Sequence, residues 1–407
     1  MAFDRRLAIA AGLCAAGSVV ALAVLPVQAQ RAPTSGPIAR YDMRAGTVSG
    51  FAAMGGGFGG AMNMAMGGGG NKMQHELSLR LGSSQTASGN PKADHFMPAG
   101  AKLGKSVALV TPTQERGPAD QLPGQREGQR PTGRILIFWG CGEHAPKGQP
   151  VVIDLAKLSA GQMPPGLWSA TVLRDWGPTL QNSKTFGRWP AEDGKMVKAD
   201  SSLIGAHRIA GNYSPEISFS LTQDFMAPLR TTATQNPSGS SLLSWNAVPG
   251  ATGYLAFLFG GKMAQGGQMG DMVMWTSSAS RQFGGGLSDW LTPAQVAGLV
   301  RDRTVMAPTT TSCTIPAEVR GAGADFRMGM MTAFGPEEDF SYPARPANPK
   351  EAWNLQWTAR VRHRSTTSWM DMPGMPGQAD QQQGEPRKCK PKGLGGLIKA
   401  AAGAGSC

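Results

Sequence analysis

Residues Ser240–Phe259 read SSLLSWNAVPGATGYLAFLF, and this stretch decides how the rest of the chain is interpreted. Leu243 and Trp245 alternate with polar neighbours, Pro249-Gly250 and Thr252-Gly253 turn the chain, and Tyr254 to Phe259 is almost continuously apolar. Period-two alternation marks a strand with one covered face, and a short apolar run marks a strand covered more fully. The expectation is a strand, a tight turn and a returning strand: a hairpin in a half-buried sheet.

The same short-strand rhythm extends in both directions. His75–Leu81 (HELSLRL) and Ser106–Val110 precede the stretch, as do Arg134–Trp139 (RILIFW), Val151–Leu155, Leu167–Leu173 and Ile217–Leu221 (ISFSL), with Trp176, Trp189 and Ile209 continuing the pattern. Met272–Ser277, Thr311–Pro316, Phe326–Phe334 and Trp353–His363 follow it. Strands this short, separated by Gly/Pro-rich turns, indicate sandwiches or partly open barrels. One helix interrupts them: Thr292-Pro-Ala-Gln295 has the spacing of a capping box with proline at the first helical position, and Val296, Leu299 and Val300 follow at helical intervals.

The motif W-x-x-V-x-G-A-T-G-Y, here Trp245 to Tyr254, resembles the second and third strands of a fibronectin type III module. In that family the tryptophan sits in the core between two sheets. The resemblance implies such a module over 229–345, with Met272–Ser277, Thr311–Pro316 and Phe326–Phe334 as its remaining strands. The helix near Thr292 is an insert in it.

Composition bounds the rest. With 56 Gly, 30 Pro and only 16% charged residues in 407, the chain is rich in turns and irregular segments and is not a helical bundle. The predicted fold is all-β: two small β-sandwich modules, with a disordered Gly/Met-rich N-terminal region and a basic C-terminal tail. The expected divisions are a signal peptide at 1–29, a Gly/Met-rich disordered segment at 30–73 and short strands with a linker at 74–133. A β-rich domain at 134–228, the fibronectin-like module at 229–345, a final strand at 346–369 and the tail at 370–407 complete them.

The leader has Arg5 and Arg6, an apolar run from Leu7 to Leu25 and a small-x-small site at Val27-Gln28-Ala29. It predicts export to the periplasm or the extracellular space, with no transmembrane segment after cleavage; the competing reading is a retained transmembrane anchor. Cys14 would leave with the leader, so Cys141, Cys313, Cys389 and Cys407 remain, an even number in an oxidising compartment. Two disulfides are expected, favoured as Cys141 with Cys313 and Cys389 with Cys407. A formal charge of +12 points to anionic partners. At an envelope these are glycans or lipid head groups, or another envelope protein, and not nucleic acid.

The candidate chemistry is sparse. Gly55-x-Gly57-x-x-Gly60 matches a dinucleotide fingerprint in letters, but no strand precedes it and no helix follows. No cofactor is implied. Cys141 and His144 sit together after a strand and could serve a thiol-dependent enzyme; the competing reading is a disulfide in a tight turn. Met62, Met64 and Met66, with Met370, Met372 and Met375, form two thioether clusters of the kind that suits Cu(I), which His75 and Asp371 could supplement. Met328, Met330 and other methionines in strands read as core filler. Arg360, Arg362 and Arg364 alternate, so on a strand they would line one face and could grip anions. The reading that covers most of the chain is an exported, non-catalytic binding or structural protein of the cell envelope. A periplasmic Met-rich copper-binding protein and a thiol-dependent enzyme are the alternatives.

Overall fold

The computed structural model describes residues 36–54, 72–112, 133–159, 173, 175, 177–191, 196–263, 269–284, 286–348 and 350–371. The fold is all-β, and the helices among the described residues are short. Its strands are β1 (Ala39–Gly50), β2 (Met73–Ser83), β3 (Ala93–Phe96), β4 (Ser106–Ala108), β5 (Arg134–Trp139) and β6 (Val151–Asp154). They continue with β7 (Thr185–Trp189), β8 (Met196–Val197), β9 (Gly205–Gly211), β10 (Ile217–Leu221), β11 (Thr231–Gln235) and β12 (Ser241–Trp245). The last are β13 (Gly253–Met263), β14 (Met269–Thr276), β15 (Ser312–Ile315), β16 (Phe326–Tyr342) and β17 (Trp357–Asp371).

One ten-stranded sheet dominates, in the order β6-β5-β14-β13-β16-β17-β1-β2-β7 with β8 beside β2. A four-stranded sheet (β10-β9-β3-β4) and a three-stranded sheet (β11-β12-β15) complete the architecture. Two of the large sheet's pairings are parallel, β1 with β17 and β14 with β5. Two apolar cores lie on one face of it. The first joins Tyr41, Met43, Leu79, Leu81 and Val361 to Ile209, Ile217, Phe219 and Leu221 of the four-stranded sheet. The second joins Leu258, Val273, Trp275 and Met331 to Leu243, Trp245, Cys313 and Ile315 of the three-stranded sheet. Strand alternation explains this: every second side chain of the large sheet turns inward, leaving the intervening set on its outer face.

The Ser240–Phe259 stretch differs from the expected hairpin. Its two strands exist, but β12 pairs with β11 and β15 while β13 pairs with β14 and β16. The turn therefore carries the chain from one sheet to the facing one. What holds it is buried side-chain packing: Tyr254 lies 5.6 Å from Trp245 between ring centroids, and its hydroxyl accepts the Val248 backbone N–H at 2.9 Å.

A second correction concerns the predicted disordered segment. Residues 39–54 are ordered, as β1 and a short 3-10 turn at Phe51–Met54, and β1 lies between β17 and β2. Residues 55–71 of that segment lie outside the described residues, as do the leader, 113–132, all but the last residue of the predicted strand Leu167–Leu173, and Trp176. The final strand also runs further than expected, so that Met370 and Asp371 belong to β17 and not to the tail.

The helix Pro293–Arg301 forms where its capping box places it. Thr292 accepts the Gln295 N–H, and the Gln295 side chain accepts the Thr292 N–H. Its Val296 and Leu299 join Leu255, Leu287, Leu291, Val305 and Phe334, covering part of the outer face. No helix among the described residues is long and apolar enough to cross a membrane.

Candidate functional site

Beside that helix, the outer face holds a cluster of charges built on β1, β2 and β17. In register, Asp42 stands opposite both Arg360 and Arg80, Arg44 opposite Arg362, and Gly46 between Arg364 and Glu76. The arginine ladder thus occupies one face, as its spacing predicts. Its partners, however, belong to the protein itself.

Arg362 is 2% exposed; its Nη2 donates to both Asp42 oxygens at 2.7 and 2.8 Å and lies 3.2 Å from Asp175, and its Nη1 donates to the Trp290 carbonyl. Arg44 donates through Nε to Asp42 at 2.8 Å and through Nη2 to Asp175. Arg364 lies over the Trp290 ring at 4.0 Å and bonds Glu76 at 3.2 Å. Arg360 is 3.5 Å from Glu337 and 3.4 Å from Asp339.

Burial would raise the Asp175 pKa, but the Arg44 and Arg362 guanidiniums outweigh it and hold the carboxyl down at about 2. The same carboxylates hold Arg44 above its ordinary value against the cost of its own burial. A guanidinium fork already filled by carboxylate oxygens has few donors left for an external anion. Arg362 and Arg44 therefore bind the sheet to its covering loops.

A second polar constellation crosses the first core. The Tyr41 hydroxyl lies 2.6 Å from His95 Nδ1, His95 Nε2 lies 3.0 Å from His207 Nδ1, and His207 Nε2 lies 2.7 Å from the Leu203 carbonyl. A carbonyl only accepts, so His207 carries its proton on Nε2. The remaining bonds then follow in one direction: His95 Nε2–H donates to His207, and the Tyr41 O–H donates to His95. Every group is neutral and satisfied. Burial lowers both histidine pKa values, with His207 lowering that of His95 further. At 0% and 1% exposure the rings meet no solvent, and the chain ties β1 to β3 and β9.

Cys141 is bonded to Cys313, so its sulfur is not a thiolate in this structure. The bond joins the end of β5 in the large sheet to β15 in the small one. His144 is exposed and pairs with Glu318 at 3.1 Å. Cys389 and Cys407 lie outside the described residues, as do Met62, Met64, Met66, Met372 and Met375. His75 is buried and stacked on Phe225, with 3.9 Å between ring centroids. Among the described residues, no group of three or more His, Cys, Asp or Glu side chains is placed to hold a metal ion.

The charged face opens at one edge into a groove of about 250 Å³, where Arg40, Asp339, Trp353 and Arg360 meet beside Gly177 and Pro178. Arg40 is anchored to Asn182 at 2.8 Å, and Asp339 is 64% exposed on its side chain. The groove offers donors, an acceptor and an indole, which together suit a polyhydroxylated ring. The alternation Trp353, Leu355, Trp357 places Trp353 at the start of the final strand, but β17 begins at Trp357 and leaves Trp353 ahead of it.

No family model, curated protein or solved structure matches the chain. The functional reading accordingly stands on the chain's own geometry.

Proposed function

We propose that this chain is an exported, non-catalytic binding or structural protein of the cell envelope. Its sheets act as a scaffold and its groove at Arg40, Trp353 and Arg360 contacts envelope glycan. The observation that carries this reading is the groove itself, which brings guanidinium, carboxylate and indole groups together over the ends of the sheet's central strands β16, β17 and β1. Arginine and aspartate side chains bond sugar hydroxyls as donors and acceptors, and a tryptophan ring stacks on the apolar face of a pyranose. The basic balance of the chain favours acidic polysaccharide among such partners.

Two further observations support parts of the reading. The Cys141–Cys313 bond fits an oxidising compartment, and so fits export. The placement of β12 and β13 in facing sheets, with Trp245 buried between them, fits a fibronectin type III-like module over 229–345.

Titration of the purified protein with fragments of an acidic envelope polysaccharide, followed by calorimetry, tests the assignment. Binding that falls at least tenfold in both Trp353→Ala and Arg40→Gln is expected. Binding indifferent to both substitutions removes the groove from the proposal.

A further inference from the structure

The strands that carry the charges on one half of the outer face carry sulfur on the other. Met328 on β16 stands directly opposite Met370 on β17 and Phe259 on β13, and Met330 stands opposite Phe257. Residues two apart on a strand share a face, so Met328, Met330 and Met370 belong to one side of the sheet. That side is the outer one. Met330 is 41% exposed, Met328 and Met370 are half-buried, and the intervening Gly329, Met331 and Trp369 are buried in the core.

We propose that Met328, Met330 and Met370 form a thioether site for Cu(I). Directly opposed residues have Cβ atoms about 4.5–5.5 Å apart and diagonal neighbours about 7–8 Å. Three rotatable bonds on each methionine allow the sulfurs to converge from such positions. Thioether sulfur is soft and uncharged, so it selects Cu(I) over the hard divalent cations that oxygen ligands hold. Phe257, Phe259 and Phe326 surround the cluster with apolar rings, with Phe259 and Phe326 edge-to-face at 6.5 Å between centroids. Met330 and Phe259 are each 41% exposed, so the cluster is open to an incoming ion. The backbone beneath is fixed by pairing on both sides of β16, so the site is built on rigid elements. The sequence pattern puts Met328 and Met330 in a core; the register places them outward, beside the Met370 that spacing alone associates with Met372 and Met375. The site is separate from the glycan groove and does not depend on it.

The test uses the full chain carrying leucine at Met62, Met64, Met66, Met372 and Met375, so that the sheet site alone reports. Anaerobic Cu(I) titration against a chromophoric chelator should show one ion per chain. Adding Met328→Leu, Met330→Leu and Met370→Leu should weaken binding at least tenfold, whereas Met331→Leu, on the buried face, should leave it unchanged. No binding in the leucine background, or full affinity in the triple variant, overturns the site. Because a triple variant can perturb folding, the wild-type chain supplies a second readout. Ag(I), a redox-silent surrogate, should shift the methyl resonances of Met328, Met330 and Met370 together, and their invariance equally overturns the proposal.

Discussion

Arg362 joins strands and loops that are far apart in the chain, bonding Asp42 across a sequence separation of 320 and Asp175 across 187. Breaking a buried pair by removing one partner leaves an uncompensated charge, at a cost of about 3–5 kcal/mol. Arg362→Leu is therefore expected to lower unfolding free energy by that amount in urea titrations at neutral pH. A loss below about 1 kcal/mol, the range of an exposed pair, would show the cluster to be solvated. The histidines predict a second effect. Burial lowers His363 to about 4, against the opposing pull of Asp224. Between its unfolded value near 6.5 and about 4, the unfolded chain binds the extra proton, so stability is complete above pH 6.5 and falls as pH drops through that window. His363 alone accounts for about 3 kcal/mol. His75, His95 and His207 are shifted down by burial as well and act in the same direction, whereas the raised Glu338 works the opposite way. Urea midpoints measured at pH 7, 5.5 and 4.5 should decline in that order; a flat or rising series refutes the assignment. None of this was legible in the sequence, because a buried arginine and a solvated one look alike until their partners are known.

At the scale of elements, legibility followed the range of the forces involved. The helix at Pro293–Arg301 is specified by contacts three residues apart, and its capping box could be read directly. Strands with one polar face, such as β2, β10 and β12, showed their period. β1 shows the same period, Arg40, Asp42 and Arg44 alternating with Tyr41, Met43 and Ala45, but it was overlooked beside the Gly/Met-rich run that follows it. Sheet membership was equally hidden: the turn after Trp245 has hairpin chemistry, and only packing against Tyr254 shows that it bridges two layers. The Cys141–Cys313 bond staples those layers across a sequence separation of 172. A loop of that length costs the unfolded chain about 5 kcal/mol less entropy to close once bonded, and measured losses for native disulfides are about 2–5 kcal/mol. Cys141→Ser with Cys313→Ser should lower stability within that range by urea unfolding. A double variant as stable as the oxidised parent would show the bond to be incidental.

Among the described residues, the two larger cores share one sheet beneath both. β16 and β17 pair along most of their length, and each contributes to both cores: Val361 and Trp369 of β17 lie in different ones. Neither core can be exposed without unpairing strands that serve the other, so unfolding is expected as one cooperative transition. Far-UV circular dichroism and tryptophan fluorescence should give coincident urea curves; two separated transitions would show that the halves fold independently. The all-β class was readable from short apolar periods, but the strand count was not, since β1, β3, β8 and β11 were not foreseen. The shared sheet was not, because β5 and β14 meet in parallel from distant parts of the chain and no local pattern encodes that meeting.

The parallel pairing of β1 with β17 fixes the order in which this protein can be completed. At synthesis rates of about 5–20 residues per second, β1 leaves the ribosome roughly 15–60 seconds before β17, its parallel neighbour, exists. During that interval Tyr41, Met43 and Ala45 have no finished sheet to enter. The large sheet is therefore completed only when nearly the last described strand is made, although β1 and β2 can pair long before.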